Sequence, residues 1–458
     1  MKKRPTIQFA AGESACRTTK IQALADAGGA GATAPPKERR LTRRLLAVGP
    51  GLLFVLGSVG EKDLISGSIA GATYGSGLLW LLVVSLAARF VIVDATARYV
   101  MATGESLLAG FGRIGKWIVV LWFSVAVLQR HASALATLAI LGTSAHLVLP
   151  LATRHSTAIW GLLSWAAAFT LMYWGRYRLV ERFTTPLAVV MGSSLAAAAI
   201  MSRPDPGDLV RGALTPVLPP VQGLYSPVLV VMSVMSAAMA SFGNLKYSAY
   251  VHEKGWRDLS FLSNQRRELI LSMCGMFCML AMIQIAAAGA LKPRGLQVEK
   301  LEDLIPIFTE VLGYGGRIIL GVTLWSMAFA SLVGTGTAYG IMVSDVYHRF
   351  VRRSTGTAEL DRPAGEMPAF RWVVLYICLS PLYVFVTDWT PVGLVLFKAA
   401  LGLVTLPVVI LAVLRLTADK KIMGSNANGW FTNLALVVTT IAAVYLGLHG
   451  LVELGSGD

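Results

Sequence analysis

Residues 49–75 read GPGLLFVLGSVGEKDLISGSIAGATYG. The run is long enough for a membrane helix, since a hydrocarbon core ~30 Å thick needs ~20 apolar residues. Yet Glu61, Lys62 and Asp63 fall in its middle, where each charge is costly unless it is satisfied. Gly57 and Gly60 flank the cluster, so the backbone is expected to unwind there. Unwound backbone at membrane depth is tolerated only where it packs in protein or lines a water-filled cavity. Gly60, Glu61, Lys62 and Asp63 are therefore substrate-site candidates.

Residues 226–256, SPVLVVMSVMSAAMASFGNLKYSAYVHEKGW, repeat the pattern. An apolar first half meets Ser241, Phe242, Gly243, Asn244 and Lys246, and a second apolar half follows. This adds Ser241, Gly243 and Asn244 to the candidates. Asp63 and Asn244 also suit helix N-caps, a role compatible with a site.

Spans are predicted near 45–75, 78–103, 115–149, 156–175, 183–201, 226–252, 267–291, 315–347, 370–387, 391–415 and 430–453. The two interrupted spans stand five apart, as in an inverted repeat whose substrate sits near the midplane between broken helices. The expected fold class is an all-α integral membrane protein with about 11 transmembrane helices and broken helices 1 and 6. Residues 1–44 are expected to be a disordered basic cytoplasmic tail, and 45–453 the transporter domain. Within it, repeat one covers about 45–201, repeat two about 226–415, and an extra helix about 430–453.

Composition agrees: 55% of the 458 residues are hydrophobic and 14% charged, against about a quarter charged in soluble domains. Mean hydropathy is +0.63. The formal charge of +15 could suggest nucleic acid, but most of it flanks apolar spans. With the N-terminus cytoplasmic, the inside loops collect Arg113, Arg176, Arg178, Lys254, Arg266, Arg349, Arg352 and Lys420, satisfying the positive-inside rule. The odd span count puts the C-terminus outside. The expected partners are a lipid bilayer, that of the cell (inner) membrane, and a small inorganic ion, with no nucleic acid. Cys16, Cys274, Cys278 and Cys378 are too scattered for a disulfide framework. No P-loop, GxGxxG, GxSxG or zinc-ligand spacing occurs, so an enzyme is not expected.

In order along the chain, the GPG opening, AGATYGSGLLW (70–80), TGESLLAGFGRIG (103–115) and GRYRLVERF (175–183) resemble the Nramp family of proton-coupled divalent metal transporters. The resemblance covers roughly 45–450 and implies a LeuT-like fold. The family's Asp-Pro-Gly-Asn motif falls on Gly60, Glu61, Lys62 and Asp63, so its leading Asp ligand is missing. Its Met-Pro-His falls on Ser241, Phe242 and Gly243, which removes the soft thioether. Acidic residues used by the family for proton passage fall on Ala136 and Ala139.

Intramembrane basic residues stand out instead: Lys62, Lys246, Arg130 beside His131, and Lys398. Each has a bland reading. Lys62 could pair with Glu61 or Asp63; Arg130 and Lys398 could pair with Asp63, Asp94 or Glu61, or snorkel; His131 could be a satisfied core histidine. Ser331 and Thr335 in ASLVGTGTAYG (330–340) could offer hydroxyls to a coupling ion or serve helix packing.

Three functions stay open. The resemblance implies a divalent-metal carrier, and Glu61, Asp63, Ser241 and Asn244 would make an all-oxygen site, magnesium-like rather than manganese- or iron-like. In this cation reading Asp63 and Asn244 are the metal ligands. The alternative is a sodium- or proton-coupled carrier of a small oxyanion such as bicarbonate, held by half-helix N-termini and Lys62 or Arg130. A non-transporting membrane sensor is the third. No cofactor is expected beyond a sodium or proton coupling ion.

Overall fold

The computed structural model describes residues 59–173, 177–217, 220–239, 258–347, 368–387 and 389–456, with Asn244, Tyr247, Val251 and Trp256 between them. The basic tail, the first half of the first span, and Ser241, Phe242, Gly243 and Lys246 lie outside the described residues.

Every described regular element is helical. The long ones are α1 (Glu61–Tyr74), α2 (Leu79–Thr103), α4 (Lys116–Val148), α5 (Ser156–Tyr173), α6 (Tyr177–Met201), α8 (Pro227–Met239), α9 (Leu262–Ala290), α11 (Gly315–Val346), α12 (Pro368–Leu379), α13 (Pro391–Ala418) and α14 (Trp430–Ser456). Short helices α3 (Leu107–Ile114), α7 (Pro206–Leu214) and α10 (Ile305–Leu312) fill connections read from sequence as loops.

Seven described helices are long and apolar enough to cross a membrane, and the shorter apolar stretches Val189–Met201 and Pro227–Met239 coincide with the fifth and sixth predicted spans. The third span is one helix of 33 residues. The ninth differs from its expected single run: α12 stops at Leu379, and Pro381 introduces a separate turn over Leu382–Val386. The fifth span begins earlier than expected, at Tyr177, with Pro186 inside it.

Helix α1 is built to be enclosed. It lies along α9 and also packs against α8 and α13. Gly67 and Gly71 share the face toward α9: a Cβ on Gly71 would sit 2.2 Å from the Gln284 carbonyl oxygen, and one on Gly67 2.7 Å from Ile283 Cγ2. Two glycines four apart let the backbones approach closely, as small residues do at membrane helix interfaces. Gly75, at φ +64, closes α1, and its carbonyl accepts a 2.8 Å bond from Gln284 Nε2.

The outer helices show the opposite pattern. On α14, Leu434, Val438, Ile441, Tyr445, Leu448 and Val452 recur every three or four residues, and all are exposed. Such a stripe has no place in water and matches lipid chains as solvent.

Candidate ion site

Gly60 is extended (φ −110°, ψ 179°) and α1 begins at the next residue, in the middle of the predicted first span. The Asp63 carboxylate turns back, and its Oδ2 accepts a 2.6 Å bond from the Gly60 backbone N–H. Asp63 is thus a capping residue three positions into the helix rather than at its N-cap. Only one of its oxygens is used. Asp63 Oδ1 is buried with no hydrogen-bond partner among the described residues.

Glu61 is also buried. Its Oε1 accepts from Lys398 Nζ at 3.0 Å and from Thr137 Oγ1 at 3.3 Å, tying α1 to α13 and α4. Its Oε2 has no partner among the described residues. Of the carboxylates proposed for Lys398, the structure selects Glu61.

Lys62 does not pair with either neighbouring carboxylate, contrary to the bland reading: its ammonium reaches α8 and donates to the Ser236 carbonyl at 3.0 Å. The periodicity of α1 explains this, because residue 62 faces about 100° away from residues 61 and 63. Arg89 on α2, buried and not singled out from sequence, donates to the Ala238 carbonyl at 3.2 Å. Asn244 Nδ2 donates to the Met239 carbonyl at 3.0 Å, and its Oδ1 is buried without a partner among the described residues.

Arg130 finds no carboxylate. It donates to the Thr335 hydroxyl and lies 5.8 Å over the Tyr339 ring, while Thr335 donates to the Ser331 carbonyl. The sequence candidates Arg130, Thr335 and Ser331 are thereby brought together between α4 and α11, with Thr335 already engaged at both ends. Asp94, another suggested partner, instead receives a bidentate pair from Arg266 at 2.7 and 3.1 Å. His131 turns elsewhere: Nδ1 meets the Ser380 hydroxyl at 3.1 Å and Nε2 the Tyr383 hydroxyl at 2.9 Å. Both ring nitrogens have hydroxyl partners, and the side chain is half-buried rather than part of the core.

Of the four basic side chains near α1, Lys398 alone is paired with a carboxylate, Glu61, among the described residues, while Lys62, Arg89 and Arg130 donate to carbonyl or hydroxyl oxygens. No group of three or more His, Cys, Asp or Glu residues able to hold a metal ion occurs among the described residues. What the arrangement offers is single oxygens and backbone carbonyls. Nothing in it resembles a nucleophile with its base.

This is the architecture of a polytopic helical membrane protein. The fold matches the crystal structure of an Eremococcus coleocola manganese transporter bound to an aromatic bis-isothiourea compound, with a TM-score of 0.68 at 15% identity over 92% of this chain and 89% of that one. It also matches MHP1, a nucleobase-cation-symport-1 family transporter, at a TM-score of 0.53 and 12% identity over 89% and 92% of the two chains. In sequence it is 27% identical over 417 residues to the divalent metal cation transporter MntH of Aeromonas hydrophila, covering 89% of this chain and 95% of that protein. Residues 51–453 match the family described as natural resistance-associated macrophage protein-like, and the chain belongs to this Nramp family. Its fold is the LeuT-like all-α fold, and its family is one of membrane transporters rather than enzymes.

Proposed function

We propose that this chain is a secondary-active carrier of a divalent metal cation, with an all-oxygen site at the start of α1 and beyond α8 that suits a hard, magnesium-like ion. The observation that carries the reading is three buried acceptor oxygens, Glu61 Oε2, Asp63 Oδ1 and Asn244 Oδ1, with no partner among the described residues. A buried polar atom left unpaired costs about 1–3 kcal/mol, and a hard cation is the partner that oxygen acceptors suit best. The similarity to a divalent metal cation transporter supports the same class. Lys398 neutralises part of Glu61. The weakened negative charge fits an ion that keeps some of its water shell better than one stripped bare by carboxylates.

A second reading, a small oxyanion such as bicarbonate, is favoured by the excess of basic heads. Arg89 Nε, Arg130 Nε and Arg130 Nη2 are buried donors with no acceptor among the described residues. Ionised donors of this kind form the stronger hydrogen bonds to anions.

The remaining particulars belong to the same proposal. The N-terminus is cytoplasmic and the C-terminus outside; repeat one spans about 45–201, repeat two about 226–415, with 430–453 an added helix. Sodium or a proton supplies the driving gradient. The test is uptake into proteoliposomes, comparing magnesium, manganese and labelled bicarbonate, each with and without a sodium or proton gradient. Magnesium uptake exceeding manganese uptake is expected. Bicarbonate uptake with no divalent uptake would transfer the function to the second reading.

A further inference from the structure

Arg266 and Arg130 use the same edge of the guanidinium in opposite ways. Arg266 grips Asp94 with it: Nε donates to Oδ1 at 2.7 Å and Nη2 to Oδ2 at 3.1 Å. These two N–H bonds run parallel and match the oxygen pair of a carboxylate. Arg130 stands near the middle of the 33-residue α4 and is 3% exposed. It donates through Nη1 to the neutral Thr335 hydroxyl, and the Tyr339 ring lies 5.8 Å from its Cζ. Its Nε and Nη2, the edge that Arg266 spends on Asp94, are buried with no acceptor among the described residues. Arg89 and Arg98, the other buried arginines among the described residues, each leave only Nε in that state. Glu61 and Asp63 bond instead to Lys398 and to the Gly60 N–H. A guanidinium cannot shed its proton, so burial leaves the Arg130 charge in place without a counter-charge bonded to it.

We propose that the open edge of Arg130 is a seat for a monovalent planar anion of carboxylate shape, such as formate or bicarbonate, bound where α4 meets α11. Two oxygens in one plane take Nε–H and Nη2–H together, as Asp94 takes those of Arg266. A halide is a single sphere and matches the paired donors less well. The seat is distinct from the three unpartnered oxygens assigned to the cation, Glu61 Oε2, Asp63 Oδ1 and Asn244 Oδ1. Those acceptors attract a metal, and the Arg130 edge attracts the opposite charge. The inference therefore adds an anion bound beside the cation site, and it holds whichever ion supplies the gradient.

The test is thermal unfolding of the purified full chain, followed by intrinsic fluorescence, in sodium formate, sodium chloride and the sodium salt of a bulky sulfonate at equal ionic strength. Formate should raise the wild-type melting temperature by about 2 °C over the sulfonate, with an effect that saturates as formate is increased. Chloride should raise it less. Salts also act on stability in general, but that action does not saturate at a site. Arg130→Gln, which removes the charge and the paired donors, should abolish the saturable formate effect. Arg130→Lys, which keeps the charge as a point and loses the fork, should lose the preference for formate over chloride. A wild type whose response to formate does not saturate, or equals its response to chloride, would overturn the proposal. So would a folded Arg130→Gln that keeps the saturable effect. If Arg130→Gln fails to fold, Arg130→Lys takes its place, and the wild-type titration still decides. Failure of metal uptake leaves this result untouched, since the readout is anion binding and not transport.

Discussion

Replacing Lys398 by Met removes the only charged group hydrogen-bonded to Glu61 among the described residues. The ammonium lies 3.0 Å from Glu61 Oε1, and the side chains are 12% and 1% exposed. At that separation and an effective dielectric constant of ~20 the attraction is about 5 kcal/mol. Much of it offsets the cost of taking two charges out of water, so the pair as a whole contributes little. Removing one partner is different, because an uncompensated carboxylate stays buried, at a cost of about 3–5 kcal/mol. The bond that Glu61 Oε1 accepts from Thr137 Oγ1 at 3.3 Å is too weak to compensate. Unfolding of purified Lys398→Met should therefore show a loss of about 4 kcal/mol. Adding Glu61→Gln to Lys398→Met should recover at least half of it, since neither charge then remains. Additive losses in the double variant, or a Lys398→Met protein as stable as the wild type, would refute the reasoning.

Gly71→Ala should destabilise by about 1–3 kcal/mol or more, because its Cβ would meet the Gln284 carbonyl oxygen at 2.2 Å; the yield of monodisperse protein checks this. Arg266→Ala should cost only about 1 kcal/mol and less at high salt, because Arg266 is half exposed even though its pair with Asp94 is bidentate; melting curves at two salt concentrations decide. Magnesium at ~100 times its dissociation constant should stabilise the wild type by about 2.7 kcal/mol, an effect that Asp63→Ala should abolish.

The fold was legible because membrane helices announce themselves by run length, and because charges in a glycine-flanked apolar run mark an interruption. That reasoning marks an interruption near Gly60 but not the start of α1, which falls at Glu61, ahead of the Asp63 expected as an N-cap. The pairing of charges was harder. Lys62 stands between two carboxylates in sequence, yet helix periodicity sends it to a carbonyl on another span. Arg89 went unnoticed within LWLLVVSLAARFVIVDATARYVMAT, although an arginine ten residues into an apolar span, with no charged residue within four positions of it, was the available signal. Arg130 and His131 are adjacent in the chain but face different helices, α11 and the α12 end, as their 100° separation on α4 dictates. Which of several carboxylates Lys398 would choose depended on how α1 and α13 pack, information that no local pattern contains.

The claim that unpartnered oxygens on α1 and after α8 receive a hard cation is tested most directly by calorimetric titration of magnesium into the purified protein, beside Asp63→Ala and Asn244→Ala. The account predicts one saturable site in the wild type, weakened at least tenfold by either substitution. Magnesium binding that survives both substitutions unchanged, or no binding at all while bicarbonate binds, would contradict it.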